Sequence, residues 1–155
     1  MKSRGGDVSK DMNLVEDDFA ISPESVCVHR LFESQAKKTP DHIAVAYSGT
    51  QLTYHELAVR SGEIAEYLCG AGIGPDDVVG VSIERSLDMV IAVLGILRAG
   101  AAYLPLDPVY PKERLTFMGQ DSRMKLLLTQ KSYIALFADI RCRKVCIDEL
   151  NEKKS

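Results

Sequence analysis

One segment limits the fold of this chain more than any other: Ser86 to Pro108, SLDMVIAVLGILRAGAAYLPLDP. Between Met89 and Leu97 only Gly95 interrupts the apolar side chains, so a helix here has no polar face. Such a helix is covered on more than one side, by protein or by lipid. Nine residues fall far short of the about 20 needed to cross a bilayer. The segment therefore predicts a buried helix that needs a protein layer on each of two faces. Ser86 stands at its N-cap and Gly100 at its stop, and Ala101 to Leu104 predicts a strand closed by Pro105, which cannot donate to a ladder.

What flanks the helix fixes the class. Val78 to Ile83 (VVGVSI) is apolar on both faces, as a central parallel strand is. Downstream, Pro111 suits the first position of a helix carrying Leu115, Phe117 and Met118 to about Asp121. Leu126 to Thr129 predicts a strand, Ser132 to Ala138 a short helix, and Lys144 to Ile147 a last strand. Strand and helix alternate, which predicts an α/β fold with a mostly parallel sheet and right-handed crossovers.

The upstream half is read by its caps. Residues 1–24 are polar and acidic, with Met12, Leu14, Val15, Phe19 and Ile21 as the sizeable apolar groups, and predict a leader or linker draped over a neighbour. Val28, Leu31, Phe32 and Ala36 recur at helical spacing from Ser25, a cap, to Lys38, before Thr39-Pro40 ends the helix. Ile43 to Tyr47 and Gln51 to Thr53 predict a small hairpin about Ser48-Gly49-Thr50. In LTYHEL (Leu52 to Leu57), Thr53 and Glu56 form a capping box, with Leu52 and Leu57 as a hydrophobic staple. The helix that follows carries Gly62, a poor helix former, and stops in Gly70-Ala71-Gly72-Ile73-Gly74-Pro75.

Several chemistries are disfavoured. The glycine cluster at Gly70, Gly72 and Gly74 follows a helix and precedes a strand. A phosphate cradle needs the opposite order, strand, loop, then helix N-terminus, so a helix stop is the better account. Cys142 and Cys146, if extended, lie ~13 Å apart and cannot share a metal ion. Cys27 and Cys69 fall on helices without ligand partners, so all four cysteines read as reduced, small or incidental thiols. His29, His42 and His55 fit no ligand pattern, and Ser82, in GVSIE, lacks the second glycine of a nucleophile elbow. A net charge of −3 with no basic face speaks against nucleic-acid binding. No signal-peptide core precedes Ser25, which predicts a cytoplasmic protein without a membrane partner. No catalytic, cofactor-binding or metal-ligating residue is assigned within the chain.

LTYHEL at 52–57, LRAGAAYLPLDP at 97–108 and YPKERLTFMGQDS at 110–122 together resemble the opening signatures of amino-acid adenylation domains of nonribosomal peptide synthetases. Those domains belong to the acyl-adenylate-forming, AMP-dependent synthetase/ligase superfamily. VHRLFESQAKKTPDHIAV at 28–45 and GIGPDDVVGVSIERSLDMVIAVLGIL at 72–97 extend the likeness over Val28 to Ile147. Ser61-Gly62 and Gly119 depart from the bulkier residues usual in the family, which implies weaker helices in the same fold. The resemblance implies that residues 25–155 are an incomplete N-terminal part of such a domain, following a linker at 1–24. The complete enzyme would use ATP and Mg to turn an amino acid into an aminoacyl-AMP and pyrophosphate, then pass the acyl group to a carrier thiol. The family's Ser/Thr-Gly-rich phosphate loop and its catalytic lysine have no counterpart among the 155 residues. The chain alone is thus expected to be inactive. Its expected partner is the remainder of an adenylation domain or synthetase, with a carrier protein reached only through the complete enzyme. Two other readings stand beside this one: a non-catalytic interaction or regulatory module derived from such a domain, and an independent small α/β nucleotide-binding domain, which the lack of a glycine loop weakens.

Overall fold

A hairpin and two helices precede the sheet. The computed structural model describes residues 27–153, so the 1–24 linker and the Ser25 cap lie outside the described residues. Helix α1 (Val28–Lys38) has Cys27 at its N-cap, without a side-chain hydrogen bond. Strands β1 (Ile43–Tyr47) and β2 (Thr50–Thr53) pair antiparallel, with Ser48 and Gly49 at positive φ in the turn. Helix α2 (Tyr54–Gly70) starts on the capping box: Thr53 Oγ1 accepts the Glu56 N–H at 3.2 Å, and the Thr53 N–H donates to Glu56 Oε2 at 2.8 Å. Leu52 and Leu57, the staple pair, are both buried in the same cluster.

The sheet is built from β3 (Val78–Ser82), β4 (Ala102–Pro105), β5 (Leu126–Thr129) and β6 (Arg143–Cys146), in the order β4-β3-β5-β6 and parallel throughout. Between them run α3 (Leu87–Arg98), α4 (Lys112–Asp121) and a 3-10 turn (Ile134–Phe137), and α5 (Ile147–Glu152) closes the described chain. Alternation along β3 divides the core. Val79 and Val81 join Leu68, Ile91 and Ile96 of α2 and α3 on one face. On the other lie Leu106, Leu115, Leu127, Phe137 and Ile140. Gly80 points to this second face, where a β-carbon would come within 2.6 Å of Met124 Sδ and 2.9 Å of Leu127 Cδ1. The parallel α/β class expected from the alternation is the class observed.

Three local expectations need correction. The last strand ends at Cys146, and Ile147 opens α5, whose first turn carries Asp148 and Glu149 where the helix dipole favours negative charge. The segment at 132–138 forms only a 3-10 turn, with Phe137 buried. Pro105 does not stand outside β4 but is its last residue, in register with Val81. It fits because β4 is an edge strand among the described residues.

Ser61, Gly62 and Gly119 have packing reasons for their size. Arg98, in the last turn of α3, donates from Nη1 to Ala58 O at 2.6 Å and to Ser61 Oγ at 2.9 Å. Its Nε donates to Glu33 Oε1 on α1 at 3.0 Å. A β-carbon on Gly62 would sit 3.2 Å from that guanidinium, and one on Gly119 only 2.7 Å from Ile140 Cδ1. The small residues make room for neighbours; they are not merely weak helix formers.

Helix α3 receives one full covering. Leu87, Ile91, Ala92, Gly95 and Ile96 are buried against α2 and the sheet. Met89, Val90, Val93, Leu94 and Leu97, on the remaining flank, are half-buried.

Candidate functional site

In open parallel sheets, ligands sit at the carboxyl ends of strands where the connections change direction. Here β3 leads to β4 on one side and lies beside β5 on the other, so Ile83, Glu84, Asp107 and Gln130 mark that place. A cleft of about 520 Å³ opens there, lined among others by Glu84, Arg85, Pro105, Asp107 and Tyr110. Its polar groups close loops. The Glu84 N–H donates to Gln130 Oε1 at 2.8 Å, and Asp107 Oδ1 accepts the Val109 N–H at 2.9 Å. The Thr129 hydroxyl donates to Ser82 O at 3.0 Å. Arg114 lies over the Tyr110 ring, 4.1 Å from its centroid.

The junction from β3 into α3 is where a phosphate loop would lie. It is short, has no glycine, and its first-turn N–H is taken by its own chain: Ser86 Oγ accepts from Met89 N–H at 3.4 Å. The glycine cluster instead ends α2. Gly72, at φ +84°, donates its N–H to Cys69 O, and the Ile73 N–H reaches back to Leu68 O, each at 3.0 Å. That is a Schellman stop, sealed by the buried pair Ile73 and Leu68. Gly100 ends α3 with the same pattern, through Leu97 O and Ile96 O.

The other singled-out residues are scattered. Ser82 is buried at the end of β3, and its Oγ has no hydrogen-bond partner among the described residues. His42 and His55 are exposed, and His29 is half-buried on α1. Cys27 and Cys69 are exposed, Cys142 is half-buried and Cys146 buried. Burial pushes both the Cys142 and Cys146 thiols up. Among the described residues no three His, Cys, Asp or Glu side chains gather within reach of one metal ion. The shifted carboxylates serve structure: the Lys125 ammonium and the Gly74 N–H hold Asp77 below the usual range, and hydrogen bonds from Thr53 do the same for Glu56. Lys112 and Lys131 are raised by Asp139 and Glu152 respectively.

A second concavity, which the sequence reading did not anticipate as a groove, follows the half-buried flank of α3. It has a volume of about 730 Å³ and is lined by Val28, Met89, Val93, Leu94, Leu97 and Tyr103, with others. The apolar run from Met89 to Leu97, interrupted only by Gly95, is its signal in the sequence. No described helix is long and apolar enough to cross a membrane.

The family model for AMP-binding enzyme matches residues 32–155. The chain is 44% identical over 117 residues to gramicidin S synthase 2 of Brevibacillus brevis, covering 76% of this chain and 3% of that protein. It is 44% identical over 128 residues to zwittermicin A synthase ZmaJ of Bacillus cereus, covering 82% of this chain and 24% of the relative. Among solved structures, the nonribosomal peptide synthetase FmoA3 in its α-methyl-L-serine-AMP-bound form superimposes with a TM-score of 0.75 at 35% identity, over 83% of this chain and 15% of that one. The chain thus spans a small part of the proteins it matches, and along that part the sheet order, the capped helices and the adenylation signatures have one explanation: it belongs to the AMP-binding enzyme family.

Proposed function

We propose that this chain is scaffold for an amino-acid adenylation unit of nonribosomal peptide synthesis. The complete unit joins ATP and an amino acid into aminoacyl-AMP, releases pyrophosphate, and passes the acyl group to a carrier thiol. The observation that carries the reading is the likeness to FmoA3, a structure solved with an aminoacyl-AMP bound, over 83% of this chain.

In this reading residues 1–24 are a linker and 25–155 the N-terminal part of the adenylation domain. The described residues do not fit ATP and Mg: the β3–α3 junction caps its own N–H with Ser86, and no acidic cluster offers a cation site. Nucleotide and amino-acid contacts are therefore assigned to the remainder of the domain, and no residue here is given a catalytic, cofactor-binding or metal role. The carrier protein meets the complete enzyme only. The setting is the cytoplasm, where ATP is supplied, with neither nucleic acid nor membrane as partner.

ATP–pyrophosphate exchange tests this. The purified chain is expected to give no exchange above background. Residues 32–153, grafted over the matching segment of an active adenylation domain, are expected to retain that domain's exchange with its own amino acid. Turnover by the chain alone, or a folded graft that binds ATP without exchanging it, overturns the reading.

A further inference from the structure

We propose that Arg123 and Arg141 form a binding site for a phosphate dianion, free or as the end group of a monoester, at the amino ends of β5 and β6. Arg123 follows α4 and leads into β5, and Arg141 leads into β6, so the parallel pairing of the two strands sets them at the same end of the sheet. Together they line a hollow of about 410 Å³, with Gly119, Gln120 and Asp139 also in its wall. This is the opposite end of the sheet from the cleft at Glu84 and Asp107.

The other basic residues at this end are engaged. Lys125 pairs with Asp77 at 2.6 Å, Arg143 donates to Tyr67 Oη at 3.0 Å, and Lys144 donates to Ile140 O at 2.7 Å. Neither Arg123 nor Arg141 has a side-chain hydrogen bond or ion pair among the described residues. Asp139 is already neutralised, its Oδ2 standing 2.8 Å from Lys112 Nζ. Nor do the last carbonyls of α4 occupy the Arg123 guanidinium: Gly119 O accepts from Ser122 Oγ, and Gln120 O accepts the Arg123 N–H, each at 3.2 Å. Two guanidiniums on one hollow repel each other. An oxyanion with two negative charges turns that repulsion into attraction, and its paired oxygens match the fork of each guanidinium.

Backbone strain marks the same place. Arg123 has φ +54°, in the left-handed region, and donates its N–H to the carbonyl three residues back. Gly72 and Gly100 hold the equivalent position in the stops of α2 and α3, each at φ +84°. Glycine is the residue this conformation favours, and a β-carbon there costs free energy. The stop of α4 carries that cost and sets a cation on the hollow, as local strain is kept at binding sites. The inference rests on this chain's own side chains and does not depend on the adenylation reading.

Nuclear magnetic resonance of the full 155-residue chain, titrated with inorganic phosphate at constant ionic strength, tests this. The Nε–H signals of Arg123 and Arg141 are expected to shift together and to saturate, whereas acetate leaves them in place. Arg123→Gly and Arg141→Gln are each expected to weaken binding about tenfold or more, because each removes one charge-assisted fork. Arg123→Gly is also expected to raise the urea midpoint in chloride buffer, since glycine relieves the strain at φ +54°. Weaker binding with higher stability separates a ligand-binding residue from a structural one. A parallel titration with glycerol 3-phosphate distinguishes the sources: tighter binding than that of inorganic phosphate assigns the site to a monoester, equal or weaker binding to the free ion. Shifts that never saturate, an equal response to acetate, wild-type affinity in either variant, or a lower urea midpoint for Arg123→Gly overturn the proposal.

Discussion

Gly95 of α3 rests directly on Ile64 of α2: a β-carbon built on Gly95 would stand 2.5 Å from Ile64 Cγ2, 2.6 Å from its Cβ and 3.1 Å from Ser61 O. The two helices touch backbone to branched side chain, which is why a glycine breaks the apolar run at this position.

Gly95→Ala therefore lowers stability. Overpacking costs about 1–3 kcal/mol, and the helix-propensity gain of about 1 kcal/mol offsets only part of it. Ile64 is β-branched and stiff, so it cannot swing aside. Urea unfolding should give a lower midpoint for Gly95→Ala, and a Gly95→Ala, Ile64→Ala pair less destabilised than the two single losses added together.

Arg98→Met should cost about 1–2 kcal/mol. The guanidinium ties α1, α2 and α3, and hydrogen bonds of a charged group contribute about 1.5–3 kcal/mol, reduced here because the side chain is 20% exposed. Arg98→Lys should recover little, since one ammonium cannot serve Glu33, Ala58 and Ser61 with the guanidinium's fork. Glu33→Gln should matter less than Arg98→Met. Chemical denaturation of the three variants checks the order.

Thr53→Ala should cost about 1 kcal/mol by opening the capping box. The box also titrates. Glu56 is held below its ordinary value of 4.5 by the Thr53 hydrogen bonds, and Asp77 below 3.8 by Lys125 and the Gly74 N–H. A lowered carboxyl stabilises the fold above its unfolded pKa and loses that contribution as pH falls through the folded value. The urea midpoint should thus decline as pH falls below the ordinary carboxylate values, and Glu56→Gln with Asp77→Asn should flatten the decline.

Thiol labelling should separate Cys69 from Cys146. Cys69 is exposed and should react first. Cys146 is buried, and burial together with Glu149 and Asp148 raises its thiol pKa. Because the thiolate is the reactive form, Cys146 should react last, faster as pH rises and at once in denaturant. Kinetics with a chromogenic disulfide reagent on Cys→Ser variants provide the measurement.

Local devices are legible in the sequence alone. Thr53 and Glu56 are three residues apart, and the glycine stops after α2 and α3 involve only neighbours in the chain, so their chemistry is written in short windows. The buried helix is legible because it lacks a polar face. Arg98 is not. In the sequence it is a cation in a last turn, and its partner Glu33 is 65 residues away with no pattern linking them. The boundary at Cys146 escapes for a related reason, since VCI continues as well into a strand as into a helix. The cleft at the strand ends and the α3 groove depend on strand order and helix packing, which no short window encodes.

The central strand waits for its second neighbour. Ser82 at the end of β3 and Thr129 at the end of β5 are 47 residues apart, and a ribosome adding about 5–20 residues per second needs roughly 2–9 s to travel between them. For those seconds the nascent chain can stack α2 on α3 and lay β4 alongside, while one margin of β3 stays open to capture by a neighbouring polypeptide. Slowing translation just before Leu126 should lengthen that exposure and lower the yield of correctly folded product.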